Sequence, residues 1–150
     1  MMEPSPAHLK VVTFYRVIYG DTDQMGVVYY ANYLSWFERG RAEFLRHTGL
    51  PYLKIEEQGF HFPVTEVICR YSQSARYDDV VRIETELAAT SRATLTFRYR
   101  IERESDKCLL ATGSTKHACV DRRGRVARIP KILEDVLKAA NCNRAKSVLA

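Results

Sequence analysis

A loop that carries two carboxylates one residue apart and feeds straight into a long amphipathic helix constrains this chain more than any other feature. Residues 20–50 read GDTDQMGVVYYANYLSWFERGRAEFLRHTGL. Asp21 and Asp23 open the loop, Gly26 leads into the apolar run Val27-Val28-Tyr29-Tyr30, and Asn32 offers a helix cap. Tyr33, Phe37, Gly40 and Phe44 then fall on one helical face, flanked by Leu34, Trp36, Arg41 and Leu45. Spacings of three and four residues predict a helix over Asn32–His47, buried along one stripe. Gly49 and Pro51 end it. Gly40 interrupts the stripe at roughly 1 kcal/mol of helix propensity against Ala. That leaves two readings, close approach to another backbone or a tolerated glycine.

The rest of the chain is mostly strand-like. Residues 9–19 are rich in Val, Ile, Tyr and Phe and predict a first strand, with the long helix following directly. A short helical piece fits 51–57, and 60–71 reads as strand with Pro63 at an edge or bulge. Val81, Ile83, Thr85 and Leu87 alternate with Arg82, Glu84 and Glu86, the period of a half-buried strand. Leu95, Phe97, Tyr99 and Ile101 alternate with Thr96, Arg98, Arg100 and Glu102 in the same way. Residues 109–120 give a last strand, closed by a basic turn at 121–125, and Pro130 opens a terminal helix through about Ala140. Short connections between the later strands require antiparallel neighbours. The fold class is therefore α+β: an antiparallel sheet whose apolar face is covered by the one long apolar helix, around which it wraps.

Bulk properties narrow the function classes. At 150 residues, 46% apolar and 27% charged, the chain suits one globular domain over 1–150, with loose ends near 1–8 and 141–150. The start MMEPSPAHLK has no apolar run, and no later stretch approaches eighteen uncharged apolar residues. A cytoplasmic protein without membrane insertion is expected. Cys69, Cys108, Cys119 and Cys142 are too widely spread for a zinc site, so no metal is expected and reduced thiols are. Isolated cysteines in strand-like runs read as small buried hydrophobes, with a catalytic Cys paired with one of His8, His47, His61 or His117 as the alternative. The charge of +5 comes from arginines that alternate along strands, which argues against nucleic acid and suits a polyanionic small ligand.

Burial of the helix along its length buries its amino end, where the N–H groups around Tyr30 to Tyr33 lack intrahelical acceptors. Such donors carry partial positive charge and suit a developing oxyanion. Asp23 stands seven residues ahead of Tyr30, close enough to share that point. Asp and Thr also serve ordinary turns and caps, so spacing alone leaves both readings open.

The run Tyr19 to Tyr33, followed by Trp36-Phe37-Glu38, resembles the signature of the 4-hydroxybenzoyl-CoA thioesterase-like group of hotdog-fold proteins. Tyr77-Asp78-Asp79 through Thr85, and Val120-Asp121 through Pro130, resemble the same group, so nearly the whole chain is covered. The resemblance implies a hotdog fold, a five-stranded antiparallel sheet wrapped around one central helix, paired into homodimers and often homotetramers. It implies an acyl-CoA thioesterase that releases a free acid and CoA, with Asp23 as nucleophile or general base and the Tyr30 amide polarising the carbonyl. Asp21 becomes a turn residue. Glu38 matches a position facing the acyl pocket, where it reads polar acyl ends or is merely solvated. Tyr29 and Trp36 are candidates to line the acyl channel, with core packing as the alternative.

Where the group's namesake has a basic cluster, this chain has Ser91-Arg92-Ala93-Thr94, so Arg92 alone remains there. Arg125 and Arg128 are further candidates for the CoA phosphates. An acidic acyl carrier protein would suit the same basic rim, which keeps an acyl-carrier-protein thioesterase as one alternative and a non-catalytic acyl-thioester-binding accessory protein as another. No cofactor is expected, because a thiolate leaves readily and peptide dipoles hold the oxyanion. Glu38 and Glu43 are the acids to suspect on the helix if Asp23 is silent.

Overall fold

A computed structural model describes the backbone of residues 9–147 and the side chains of residues 9–141. The expectations for the segment 1–8, for His8 and for the Cys142 thiol lie outside the described residues. Five strands, β1 (Lys10–Arg16), β2 (Val64–Tyr71), β3 (Val80–Thr90), β4 (Thr94–Arg103) and β5 (Leu109–Ala118), form one sheet in the order β1-β3-β4-β5-β2. Every neighbouring pair is antiparallel. Helix α1 (Asn32–His47) lies across its inner face, α2 (Tyr52–Glu57) follows, and α3 (Lys131–Ser147) ends the described chain. This is the hotdog arrangement, a sheet wrapped around one helix.

Period-two patterning explains the wrap. Val81, Ile83, Thr85 and Leu87 of β3 and Leu95, Phe97, Tyr99 and Ile101 of β4 are all buried, and register sets Ile83 opposite Ile101 and Leu87 opposite Phe97. Their alternates carry the charges outward, with ion pairs such as Arg98–Glu86 at 3.0 Å. Tyr33, Trp36, Phe37, Gly40, Phe44 and Leu45 of α1 bury the matching stripe. Phe37 stacks on Tyr99 with centroids 4.3 Å apart, and Phe44 meets Phe97 edge-on at 5.7 Å. Among the described residues no helix is long and apolar enough to cross a membrane.

Local chemistry moves several boundaries. The first strand stops at Arg16, because the Asp21 carboxylate accepts the Ile18 amide at 3.0 Å and closes a 3-10 turn over Tyr19–Asp21. Residues 60–63 stay outside β2: the Phe62 amide is spent on the Tyr52 hydroxyl, and His61 bridges Val120 instead. That same bridge takes Val120 out of β5. The terminal helix runs past Ala140 to Ser147. Asn32 does not cap α1. Ala31 occupies the cap position, and the Asn32 side chain donates to the Asp21 carbonyl at 2.8 Å.

Close approaches occur at two glycines. A Cβ at Gly40 would run into Thr85 Oγ1 and stand 3.0 Å from Ile83 Cγ2, so the close neighbour is β3's side chains and not a backbone. A Cβ at Gly113, on the inner face of β5, would strike the Phe37 ring and come within 2.5 Å of the Ile68 carbonyl oxygen. Neither can yield: the ring is stacked on Tyr99 and the carbonyl belongs to the next strand. Gly113→Ala should therefore destabilise by about 1–3 kcal/mol, the scale of overpacking a tight core. A thermal melt should show a drop of roughly 3 to 10 °C; an unchanged midpoint would mean that the helix stands off the sheet there.

Candidate active site

The segment between β1 and α1 is a small hairpin built around Asp23. Thr22 bridges Val28, the Asp23 amide donates to the Val27 carbonyl at 2.9 Å, and the Gly26 amide donates back to Asp23 O at 3.0 Å. Gly26 turns the chain with φ +77°, a region that favours glycine. Asp23 is half-buried. Its Oδ1 accepts the Met25 amide at 2.8 Å, and its Oδ2 accepts no hydrogen bond among the described residues. Asp21 is tied into the fold through one oxygen and its carbonyl: Oδ2 accepts both the Tyr15 hydroxyl at 2.7 Å and the Ile18 amide at 3.0 Å, and the carbonyl accepts the Tyr29 amide. The Asp21 carboxylate ties strand β1 and its following turn together, whereas the Asp23 carboxylate holds only its own turn.

The amino end of α1 stands beside that oxygen. The Asn32 and Tyr33 amides are taken by the carbonyls of Tyr29 and Tyr30, so the donors without an acceptor among the described residues are Tyr30 and Ala31. Contrary to the expectation of burial, this end is open: Tyr30 is 61% and Tyr29 44% exposed, because only the end of β2 and residues 72–75 cover one side of it. Asp23, Tyr30, Tyr33, Tyr71 and the segment Ser72–Ser74 line a cleft of about 350 Å³. Tyr71 donates its hydroxyl to the Tyr30 carbonyl at 2.8 Å. Burial, then the Cys69 thiol and the neighbouring tyrosines, push the Tyr71 hydroxyl well up, so it stays a donor. A carboxylate and the unpaired Tyr30 amide at one cleft can attack, or activate water against, a carbonyl that the amide polarises.

Arg103 braces the cleft from behind. It donates from Nε to Asp79 at 3.1 Å and from a terminal nitrogen to the Ser74 carbonyl at 2.9 Å. The next residue, Ala75, accepts the Val28 amide at 2.8 Å and donates its own amide to the Tyr33 hydroxyl at 3.1 Å. Hairpin, helix and the 72–75 segment are thus tied together.

Two further cavities lie at the other end of the sheet. Glu38 and Arg41 of α1, Tyr52, Phe97 and His117 line one of about 310 Å³. Arg92, Arg128 and Lys138 line another of about 380 Å³, where the Ile129 amide bonds to the Arg92 carbonyl and draws the two arginines' segments together. Tyr71 pairs with Ala111 at the Asp23 end and Val64 with His117 at the far end. Six residues of strand separate them, about 20 Å. Within one chain, then, Asp23 and Tyr30 share a cleft and Arg92 joins Arg128, while Glu38 and the arginines do not reach Asp23. Arg125 sits exposed in the 121–125 turn, apart from both. Tyr29 is a rim residue, its ring 4.7 Å from that of Tyr30. Trp36 is buried, its ring packed between those of Tyr15 and Tyr33.

Sequence reasoning did not single out Tyr71, the 72–74 segment or the buried Tyr99-Thr115-His117 chain. Alternation along β5 could have found the last, since Thr115 and His117 share parity with the inward Ala111. Among the described residues no three His, Cys, Asp or Glu side chains gather to hold a metal ion.

The sequence profile of the thioesterase-like superfamily matches residues 17–140. The Haemophilus influenzae acyl-CoA thioesterase YbgC is 40% identical over 107 residues, 71% of this chain and 77% of that protein. A Thermus thermophilus protein, TT1821, superposes with a TM-score of 0.82 at 42% identity over 88% of this chain and 98% of its own. The DHNA-CoA thioesterase of Staphylococcus aureus superposes with a TM-score of 0.84 at 27% identity, over 92% and 95% of the two chains.

Proposed function

The chain belongs to the thioesterase-like superfamily, and from that premise we propose that it is an acyl-CoA thioesterase with Asp23 as its acid and the helix amides at Tyr30 and Ala31 as its oxyanion donors. The observation that carries this reading is that Asp23, with one carboxylate oxygen unpartnered among the described residues, lines the same cleft as Tyr30, whose amide is unpaired. Two routes use that geometry. As a nucleophile, Asp23 adds to the thioester carbon, the C–S bond breaks, the thiolate leaves, and water splits the mixed anhydride. As a general base, Asp23 takes a proton from the water that attacks the carbon directly. In both, the amides hold the charge on oxygen, and the thiolate leaves without help from a cofactor.

A second copy of the chain completes the site in this reading. Strand β2 is a sheet edge with Val64, Val67, Ile68 and Tyr71 between 41% and 47% exposed, an apolar edge of the kind that pairs with another strand. Two-fold antiparallel pairing sets the Tyr71 end of one β2 against the Val64 end of the other. The second copy's Arg41 cavity and Arg92–Arg128 cleft then stand near the first copy's Asp23, a place for an acyl group and for CoA phosphates. Further association gives a homotetramer, and the reaction belongs in the cytoplasm. The exposed cluster of Arg92, Arg128 and Lys138 equally suits an acidic carrier protein, which makes an acyl-carrier-protein thioesterase the second reading.

The test is free-thiol release from short, long and aromatic acyl-CoAs, run beside the same acyl groups on acyl carrier protein. Turnover of CoA esters is expected. Turnover confined to carrier-bound groups selects the second reading, and none on either carrier would leave a binding protein.

A further inference from the structure

The cavity of about 310 Å³ beneath α1 contains a cation that the proposed hydrolysis does not use. Its walls are largely apolar, with Leu45, Ile55, Phe97 and Leu133 among them. Nearly every other polar group at its surface is already engaged. His117 Nδ1 donates to the Phe62 carbonyl at 3.0 Å, so Nε2 accepts from Thr115 Oγ1 at 2.7 Å, and Thr115 in turn accepts from the Tyr99 hydroxyl at 2.6 Å. Burial lowers the His117 imidazole from its ordinary 6.5, the bond to the Phe62 carbonyl opposes that shift, and the Arg41 charge adds to it. The Tyr52 oxygen accepts the Phe62 amide at 3.0 Å.

Arg41 differs from these groups. It is half-buried, lines the cavity, and has no carboxylate within 4.0 Å among the described residues. Glu38, one turn earlier at the exposed rim, is outside that distance. The neutral Tyr99 hydroxyl beside Arg41 offsets the desolvation of its guanidinium less than an anion would, and the planar fork of donors matches a carboxylate in two parallel hydrogen bonds. The cavity volume is at the low end for ligand sites, which suits a few methylenes or one ring.

We propose that Arg41 pairs with a carboxylate at the far end of the acyl group, so that the preferred substrates are thioesters of small dicarboxylic acids. This rests on the thioesterase reading and on a site shared between two copies, in which the thioester is held at Asp23 and the acyl group extends into the facing cavity.

The experiment compares adipyl-CoA with hexanoyl-CoA, equal in carbon count and differing at the far end, on wild type, Arg41→Met and Arg41→Lys, each checked by thermal melt. Wild type should favour the adipyl ester at least tenfold in kcat/KM. That ratio should fall at least tenfold in Arg41→Met and be restored only in part in Arg41→Lys, which keeps the charge but loses the fork. A wild-type preference for hexanoyl-CoA, or a ratio unmoved by Arg41→Met, would overturn the proposal while leaving hydrolysis intact. If neither ester turns over, the thioesterase reading fails by itself, and calorimetry decides the remaining question. Tighter, Arg41-dependent binding of the adipyl ester sustains the assignment, and equal binding of both overturns it. Arg41-dependent binding of free hexanoate without a preference between the esters would also overturn it, since the cavity would then take the released acid.

Discussion

Asp23→Asn should reduce free-thiol release on the order of a thousandfold, the scale on which loss of one member of a catalytic constellation is felt. The substitution is a clean one here. Asn keeps a carbonyl oxygen where Oδ1 now accepts the Met25 amide, so the hairpin and its turn survive and the melting temperature should barely move. What disappears is the negative charge and the nucleophilic or basic second oxygen, the one with no partner among the described residues. The helix amides of Tyr30 and Ala31 remain, and with them a residual rate above the uncatalysed reaction. A variant that folds as well as wild type and hydrolyses within a few-fold of it would remove Asp23 from the chemistry. The acid would then be sought at Glu38 or Glu43 on α1. Asp21→Asn should behave in the opposite way, with stability suffering first, because that carboxylate is committed to Tyr15 and Ile18.

The contrast between these neighbouring aspartates shows how far the sequence could be read. The fold was legible because its signals are periodic: alternation in β3 and β4, three-four spacing in α1, and one long helix to cover one apolar face. The pairing of Asp23 with the helix start was legible because both lie within one short stretch. Harder to see were features made by distant segments. Tyr71 meets the Tyr30 carbonyl across 41 residues, and His117 meets the Phe62 carbonyl across 55. No local pattern encodes such contacts. Strand ends were misjudged for a related reason: β propensity continues through Tyr19 and Val120, but an Asp21 turn and a bridge to His61 take those residues' partners away. The openness of the helix amino end has a different origin. Apolar Tyr29 and Tyr30 read as core in a lone sequence, whereas in the single chain they are surface, 44% and 61% exposed.

The proposed second copy can be tested at the middle of β2. Ile68→Lys places a charge on the exposed edge at the centre of the strand, on the outer face beside Ser114 and away from the inner-face clefts. Lysine is the residue that sheet edges use to refuse a partner strand, and two-fold pairing would bring two such charges together across the same junction. The fold of each chain should survive, because Ile68 is 41% exposed and contributes little to the core. The assembly should not survive. Light scattering after size exclusion should move from at least twice the 17.3 kDa of one chain toward that mass. Hydrolysis should fall with it by on the order of a hundredfold, the scale on which misplacing a bound substrate is felt even when the chemical groups are untouched. The distance between the clefts makes this a demanding test. About 20 Å of strand separates Asp23 from the arginines and the Arg41 cavity in one chain, more than a short acyl group can bridge. If the single chain formed by Ile68→Lys hydrolyses as fast as wild type, each chain holds a complete site. The acyl group must then lie in the Tyr71 cleft alone, and Arg92, Arg128 and Arg41 lose their claim on the substrate together.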